Sequence, residues 1–262
     1  MAVTAAPRSP AARTRGTGLV AVVGRQELTA FVGAALESAG ARAEDADLTA
    51  QVLVAADAAG AGEHGVVRLG PCVRGLLDGS IDGGARPEIV HRYGTVTVVD
   101  AHHGLGQPAL AFAVDQALEQ ARDHGSAMVS VRRSRHVGAT DWYSERAARV
   151  GAFGLITSSG PGSGTSGRHQ SGAETSQLVM CVNQGATGAA HAPGPPSELP
   201  SGSPASASAA RTRLYLPATV LDELARVAAL VKVVPVTDLD RRRSPRTPAP
   251  RRSAPAFSIR DR

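Results

Sequence analysis

Apolar residues recur along the chain at two different periods, and the alternation between them lays out its elements. Over residues 25–39, Leu28, Phe31, Val32, Ala35 and Leu36 repeat at helical spacing, and Gly40 ends the run. Residues 43–59 repeat the pattern through Ala46, Leu48, Val52, Leu53 and Ala56 until Gly60-Ala61-Gly62 breaks it. A third helix is predicted over 64–77, stopped by the turn pair Asp78-Gly79. The β-branched stretches 88–93 and 95–100 then predict two strands joined at Gly94.

The next stretch switches period four times. An amphipathic helix is predicted over 106–124 on Leu110, Ala113, Val114, Ala117, Leu118 and Ala121, then a strand over 127–131 and a polar loop over 132–138. A helix over 139–150 and a strand over 153–157 complete it. Such alternation predicts an α/β fold: a helical N-terminal layer with a small sheet over 18–105, followed by an incomplete α/β domain over 106–160. The pattern then fails. Residues 161–212 are low-complexity Gly, Ser, Pro, Ala and Thr, and an isolated helix is predicted inside 213–236 on Val220, Leu221, Leu224, Val227 and Val231. Residues 1–17 and the basic tail 237–262 are predicted to be disordered.

Charge alters this picture only at the end. Up to Gly160 there are 15 Lys+Arg against 16 Asp+Glu, and beyond it 13 against 7, so the excess of +5 belongs to the tail. Basic residues without interleaved aromatics or a recognisable module give no expectation of a nucleic-acid partner. No stretch approaches the roughly 20 apolar residues of a membrane span, and Leu19 to Val23 is shorter than the ~7 to 15 residues of a secretory core. Two distant cysteines, Cys72 and Cys181, fit neither a disulfide scaffold nor a metal cluster. The expectation is therefore a cytoplasmic chain with no membrane and no metal.

Two constellations could carry chemistry. His64 and Arg68 stand four apart on the third predicted helix, so a guanidinium able to grip a carboxylate would share a face with an imidazole able to move a proton. The same spacing also fits a solvated helix face. His136 lies in the polar loop Arg132-Arg133-Ser134-Arg135-His136-Val137-Gly138, which leaves a strand and enters a helix, where ligands of open α/β sheets bind. Gly162, Gly164 and Gly167 formally satisfy a dinucleotide loop, but Pro161 precedes them and no amphipathic helix follows, so chance in a glycine-rich stretch explains them. His91, His102, His103, His124, His169 and His191 have no such context.

Taken together, Ala55-Ala56-Asp57, His64-Gly65-Val66-Val67-Arg68-Leu69, Leu77-Asp78-Gly79-Ser80-Ile81, Val99-Asp100 and Gly104-Leu105-Gly106 resemble one family. So do Ser134-Arg135-His136-Val137-Gly138-Ala139, Tyr143, Ala147-Ala148, Gly151 and Gly154-Leu155, in the same order. It is the type-2 malate/L-lactate dehydrogenases, with ureidoglycolate dehydrogenase and diketogulonate reductase. The resemblance implies a fold distinct from the usual Rossmann dehydrogenases, and interconversion of a small 2-hydroxy acid and its 2-keto acid with NAD or NADP. It implies that Arg68 anchors the substrate carboxylate and that His136 exchanges a proton with the carbinol oxygen, His64 being the second candidate for that role. It assigns Ser134, Ser159 and Gly160 to the cofactor, and a homodimer accords with it.

Departures matter as well. Glu63 stands where the family has a small hydroxyl residue, Val182-Asn183-Gln184-Gly185 does not match its Gly-Thr-Asn-Pro turn, and its downstream lysine has no counterpart. The resemblance covers about residues 25 to 160 and stops, as a disrupted reading frame or an internal deletion would make it. A catalytically inactive remnant, acting at most as a binding or dimerisation module, is the alternative expectation.

Overall fold

The computed structural model describes residues 19–159, 175–183, 211–234 and 240–243. Residues 1–17, Gly160, the 162/164/167 glycines and most of the segments read as low-complexity and tail lie outside the described residues. β1 (Leu19–Gly24) leads into α1 (Arg25–Ser38), and α2 (Ala43–Ala59) follows after the left-handed Gly40. These helices pack through Leu28, Phe31, Val32, Leu36, Ala46, Ala50 and Leu53, all buried.

The third predicted helix is corrected. It divides into two 3-10 turns, Gly62–His64 and Val66–Arg68, before α3 (Leu69–Leu77) begins. Gly65 separates the turns in an extended conformation, φ −86° and ψ −151°. The N–H of Val66 is bound by the Asp57 carboxylate at 2.7 Å, which takes it out of any helical ladder.

β2 (Glu88–Tyr93) and β3 (Val96–Asp100) form the expected antiparallel pair. α4 (Gly106–His124) then crosses over to β4 (Ser126–Ser134), which runs parallel to β3. β4 is longer than the sequence predicts and takes up Arg132 to Ser134, leaving a short loop before α5 (Asp141–Ala148). Asp100 explains the extension: this wholly buried carboxylate binds Arg132 at 2.8 Å and Arg133 at 2.7 Å, tying the ends of β3 and β4 together. β5 (Ala152–Ser159) and β6 (Thr175–Asn183) complete a five-stranded sheet of order β2-β3-β4-β6-β5. Ala109, Leu110, Ala113, Val114 and Ala117 of α4 pack on its Val99, Val129, Val131 and Val179. Burying a large apolar side chain contributes roughly 1.5–3 kcal/mol, and Leu110 and Val114 are both fully buried in this layer.

Two further expectations are corrected. β6 lies within the segment read as low-complexity. The segment read as an isolated helix is not isolated: β7 (Arg213–Pro217) pairs with β1, and α6 (Ala218–Val231) buries Leu224, Val227 and Ala228 in the first core. β8 (Asp240–Arg243) pairs on the other side of β1. The described residues thus form two cores, a helical one on β7-β1-β8 and a second on the five-stranded sheet. Val52 of α2 belongs to the second core and links the two. No helix of the described residues is long and apolar enough to cross a membrane.

Candidate functional site

The turns between α2 and α3 supply the first two predicted residues. Asp57 fixes Val66 from below, and the Cα of Gly65 lies so close to that carboxylate that a Cβ there would stand 2.3 Å from Oδ2. Burial pushes the Asp57 carboxyl up to about 6, against the opposing pull of the Val66 N–H. The tight turn directs Arg68 back over itself: its Nε donates to the carbonyl of Glu63 at 2.7 Å. No carboxylate among the described residues pairs with the rest of the Arg68 fork. Arg74 differs, since it binds Glu223 at 2.9 Å.

His136 comes from the other core, on the loop after β4. Tyr143, wholly buried on α5, donates its hydroxyl to the carbonyl of Val137 at 2.6 Å and so fixes the residue beside His136. Arg135 donates to the carbonyl of Ser80. The start of α4 then closes on this loop, because Gly106 has no side chain: a Cβ on it would stand 2.4 Å from the carbonyl oxygens of both Arg135 and His136.

The two halves meet. The imidazoles of His64 and His136 stack with ring centroids 5.5 Å apart and planes 14° from parallel. Arg68 and His136 line one cavity of about 260 Å³, with Arg135 and Gln107 among its polar walls and Cys72 and Leu105 among its apolar ones. His64 Nδ1 is buried and makes no hydrogen bond among the described residues. Burial, offset in part by Arg68, pushes the Cys72 thiol up to about 11, so it meets the cavity as a neutral wall. Glu63, the departure noted in the sequence, is largely exposed, with Oε1 3.9 Å from His64 Nε2.

The predicted cofactor residues are placed differently. Register sets Ser134 opposite Thr175 and Ser159 opposite Ser176, so both serines stand at one end of the sheet, on either side of β6. Ser134 is wholly buried, and its hydroxyl donates to the carbonyl of Arg135 at 3.3 Å. Gly160 lies outside the described residues. No group of three or more potential metal ligands occurs among the described residues. Gln107 was missed by the sequence reading, although a signal existed: it falls on the same stripe as Leu110, Val114 and Ala117, a polar residue where the pattern calls for an apolar one.

The sequence profile of the malate/L-lactate dehydrogenase family matches residues 23–165, more than half of the chain. The chain belongs to this family. The malate dehydrogenase of Pyrococcus abyssi is 36% identical over 138 residues, covering 52% of this chain and 38% of that protein. The (2R)-3-sulfolactate dehydrogenase (NADP(+)) of Chromohalobacter salexigens is 34% identical over 142 residues, covering 53% and 42%. The chain therefore spans about two fifths of the length of the curated relatives it matches. In fold the likeness reaches further. The structure of malate dehydrogenase from Pyrococcus horikoshii OT3 superposes with a TM-score of 0.69 at 17% identity, covering 81% of this chain and 96% of that one. For a malate/L-lactate dehydrogenase family member, the mixed α/β architecture is thus accounted for on both sides of the point where sequence identity ends.

Proposed function

We propose that this cavity binds a small 2-hydroxy or 2-keto acid, and that the protein is an oxidoreductase interconverting the two with NAD or NADP as hydride partner. The observation that carries the proposal is the convergence of Arg68 and His136 on one cavity, with His64 stacked on His136. Arg68 is anchored through Nε, which orients its fork for two parallel hydrogen bonds to a carboxylate from solution. An anchored carboxylate places the adjacent carbinol or carbonyl oxygen within reach of an imidazole. His136 takes the hydroxyl proton on oxidation or returns it on reduction, and His64 supports it across the stack. Family relatives bearing malate, lactate and sulfolactate dehydrogenase names support the substrate class.

The nicotinamide dinucleotide stands differently. The hydroxyl of Ser134 is turned into the chain and donates to the carbonyl of Arg135, so it does not itself present a donor to the dinucleotide. NAD and NADP are proposed on family membership alone. Two buried free thiols, Cys72 and Cys181, support a reducing, cytoplasmic setting. The inactive-remnant alternative is not favoured, because the acid-binding side chains are assembled rather than scattered.

The test is titration of the full chain with malate, lactate and 3-sulfolactate, followed by the fluorescence of Trp142. That ring packs edge-on to Tyr143 at 5.0 Å, and Tyr143 holds the loop of His136. Arg68→Leu should weaken acid binding by about tenfold to a hundredfold, the worth of a charge-assisted hydrogen bond of ~1.5–3 kcal/mol. Absence of binding by the wild-type chain at millimolar acid would end the proposal, and keto-acid reduction with NADH or NADPH tests its second half.

A further inference from the structure

The side chain of Gln107 is wholly buried, and neither its amide nitrogen nor its amide oxygen makes a hydrogen bond among the described residues. It lines the same cavity as Arg68 and His136. Buried carboxamides without partners are rare in folded proteins because each lost hydrogen bond leaves a desolvated group uncompensated. A leucine at this position would continue the stripe of Leu110, Val114 and Ala117 and remove that cost. Its helix also begins against the loop of His136: the preceding residue, Gly106, has its Cα packed against the carbonyls of Arg135 and His136.

We propose that Gln107 contacts the bound acid and favours the hydroxy acid over the keto acid, an inference that rests on the acid-binding reading of the cavity. A carboxamide offers one donor side, Nε2–H, and one acceptor, Oε1. A 2-hydroxy acid offers the complement on adjacent carbons: a carboxylate oxygen that accepts from Nε2–H, and a carbinol O–H that donates to Oε1 in the nucleotide-free complex and rotates to His136 for proton transfer. A 2-keto acid offers acceptors only. It satisfies Nε2 and leaves Oε1 facing the lone pairs of the carbonyl oxygen, still buried and still without a donor. Arg68 does not discriminate in this way, because the carboxylate it grips is common to both acids. Gln107 is therefore a specificity-determining residue for the oxidation state of the ligand.

The experiment compares lactate with pyruvate, and malate with oxaloacetate, by calorimetric titration of the full chain with no nucleotide present, so that no turnover occurs. The wild-type chain should bind each hydroxy acid about tenfold more tightly than its keto partner, the effect of one hydrogen bond made against one buried acceptor left unmade. Gln107→Leu should bring that ratio close to one, with a melting temperature equal to or above that of the wild type. Gln107→Met, closer in length, serves if the leucine variant fails to fold. Arg68→Leu should weaken both members of each pair alike. A wild-type ratio near one, or a ratio that survives in Gln107→Leu, overturns the proposal while leaving the acid-binding reading intact. Failure of the wild-type chain to bind any of the four acids overturns that reading, and this inference with it.

Discussion

Gly106→Ala offers the sharpest test of how the site is built. A Cβ at this position would meet two backbone carbonyl oxygens at 2.4 Å. Ordinary C···O contacts are about 3.3–3.6 Å, so the two sides must separate by roughly 1 Å. Neither side yields easily. One is the first turn of the 19-residue α4, packed along its length, and the other is a loop held by β4 and by the Tyr143 hydroxyl. Forcing backbone apart inside a packed region costs about 1–3 kcal/mol. Replacing glycine by alanine inside a helix returns at most about 1 kcal/mol, and less at the first helical position. The expected balance is a loss of about 1–2 kcal/mol in urea unfolding followed by circular dichroism. Function should suffer more than stability. A shift of roughly 1 Å in His136 relative to Arg68 is of the size that costs up to about a hundredfold in a positioned site. The reasoning is refuted if Gly106→Ala unfolds at the wild-type urea concentration or higher and binds malate or lactate within twofold of wild type.

Two further outcomes concern carboxylates that hold the site's frame. Asp57, pushed up to about 6 by burial, binds its proton more tightly folded than unfolded, where its value is 3.8. Stability should therefore fall as pH rises from about 4 to 6 and stay lower above, by at most about 3 kcal/mol for a shift of about two pH units. Asp57→Asn keeps an acceptor for Val66 and should be the more stable protein at pH 8; parallel pH profiles for the two proteins would contradict this. Asp100 is the opposite case: burial alone would raise its carboxyl, but Arg133, the N–H of His102 and Arg132 together hold it well below the usual carboxylate range. Its contribution is present above about pH 4 and is lost on acidification. Both arginines are about half exposed, so Asp100→Asn should cost only about 1–3 kcal/mol at pH 7, shrinking at pH 3; an undiminished difference at pH 3 would be the refuting result.

What could be read from the sequence was what depends on neighbours along the chain. α1 and α4 follow from periodicity because each buries one broad face, α2 follows although it is buried on two sides, with Leu53 in the first core and Val52 in the second, and β2 and β3 follow from their β-branched residues. Spacing failed at His64 to Leu77, where an Asp nine residues earlier captures a backbone N–H that a helix would have used. β7 carried a readable alternation, Leu214 and Leu216 inward with Arg213 and Tyr215 outward, but only over five residues. β6 could not be read by hydrophobicity, since Gln177 is buried with Val179 and Cys181 while Leu178 between them is exposed. At the site, His64, Arg68 and His136 were legible as residues. Their meeting was not, because it requires two cores to dock.

That docking explains how a chain matching two fifths of its relatives' length brings His64, Arg68 and His136 together. Arg68 and His64 are fixed by the first core, through Asp57 and the turn before α3. His136 and Gln107 are fixed by the second, through β4, α4 and Tyr143. The cores are joined where Val52 of α2 meets the left-handed Gly138, whose missing side chain lets the loop approach: a Cβ there would stand 2.7 Å from Val52 Cγ1. Every residue in this arrangement lies between Val52 and Tyr143, inside the segment that matches the family. The proposed acid site therefore sits at the seam between the cores, and residues beyond 165 brace it from behind, Val179 and Cys181 in the second core and Leu214, Leu216, Leu224 and Val227 in the first.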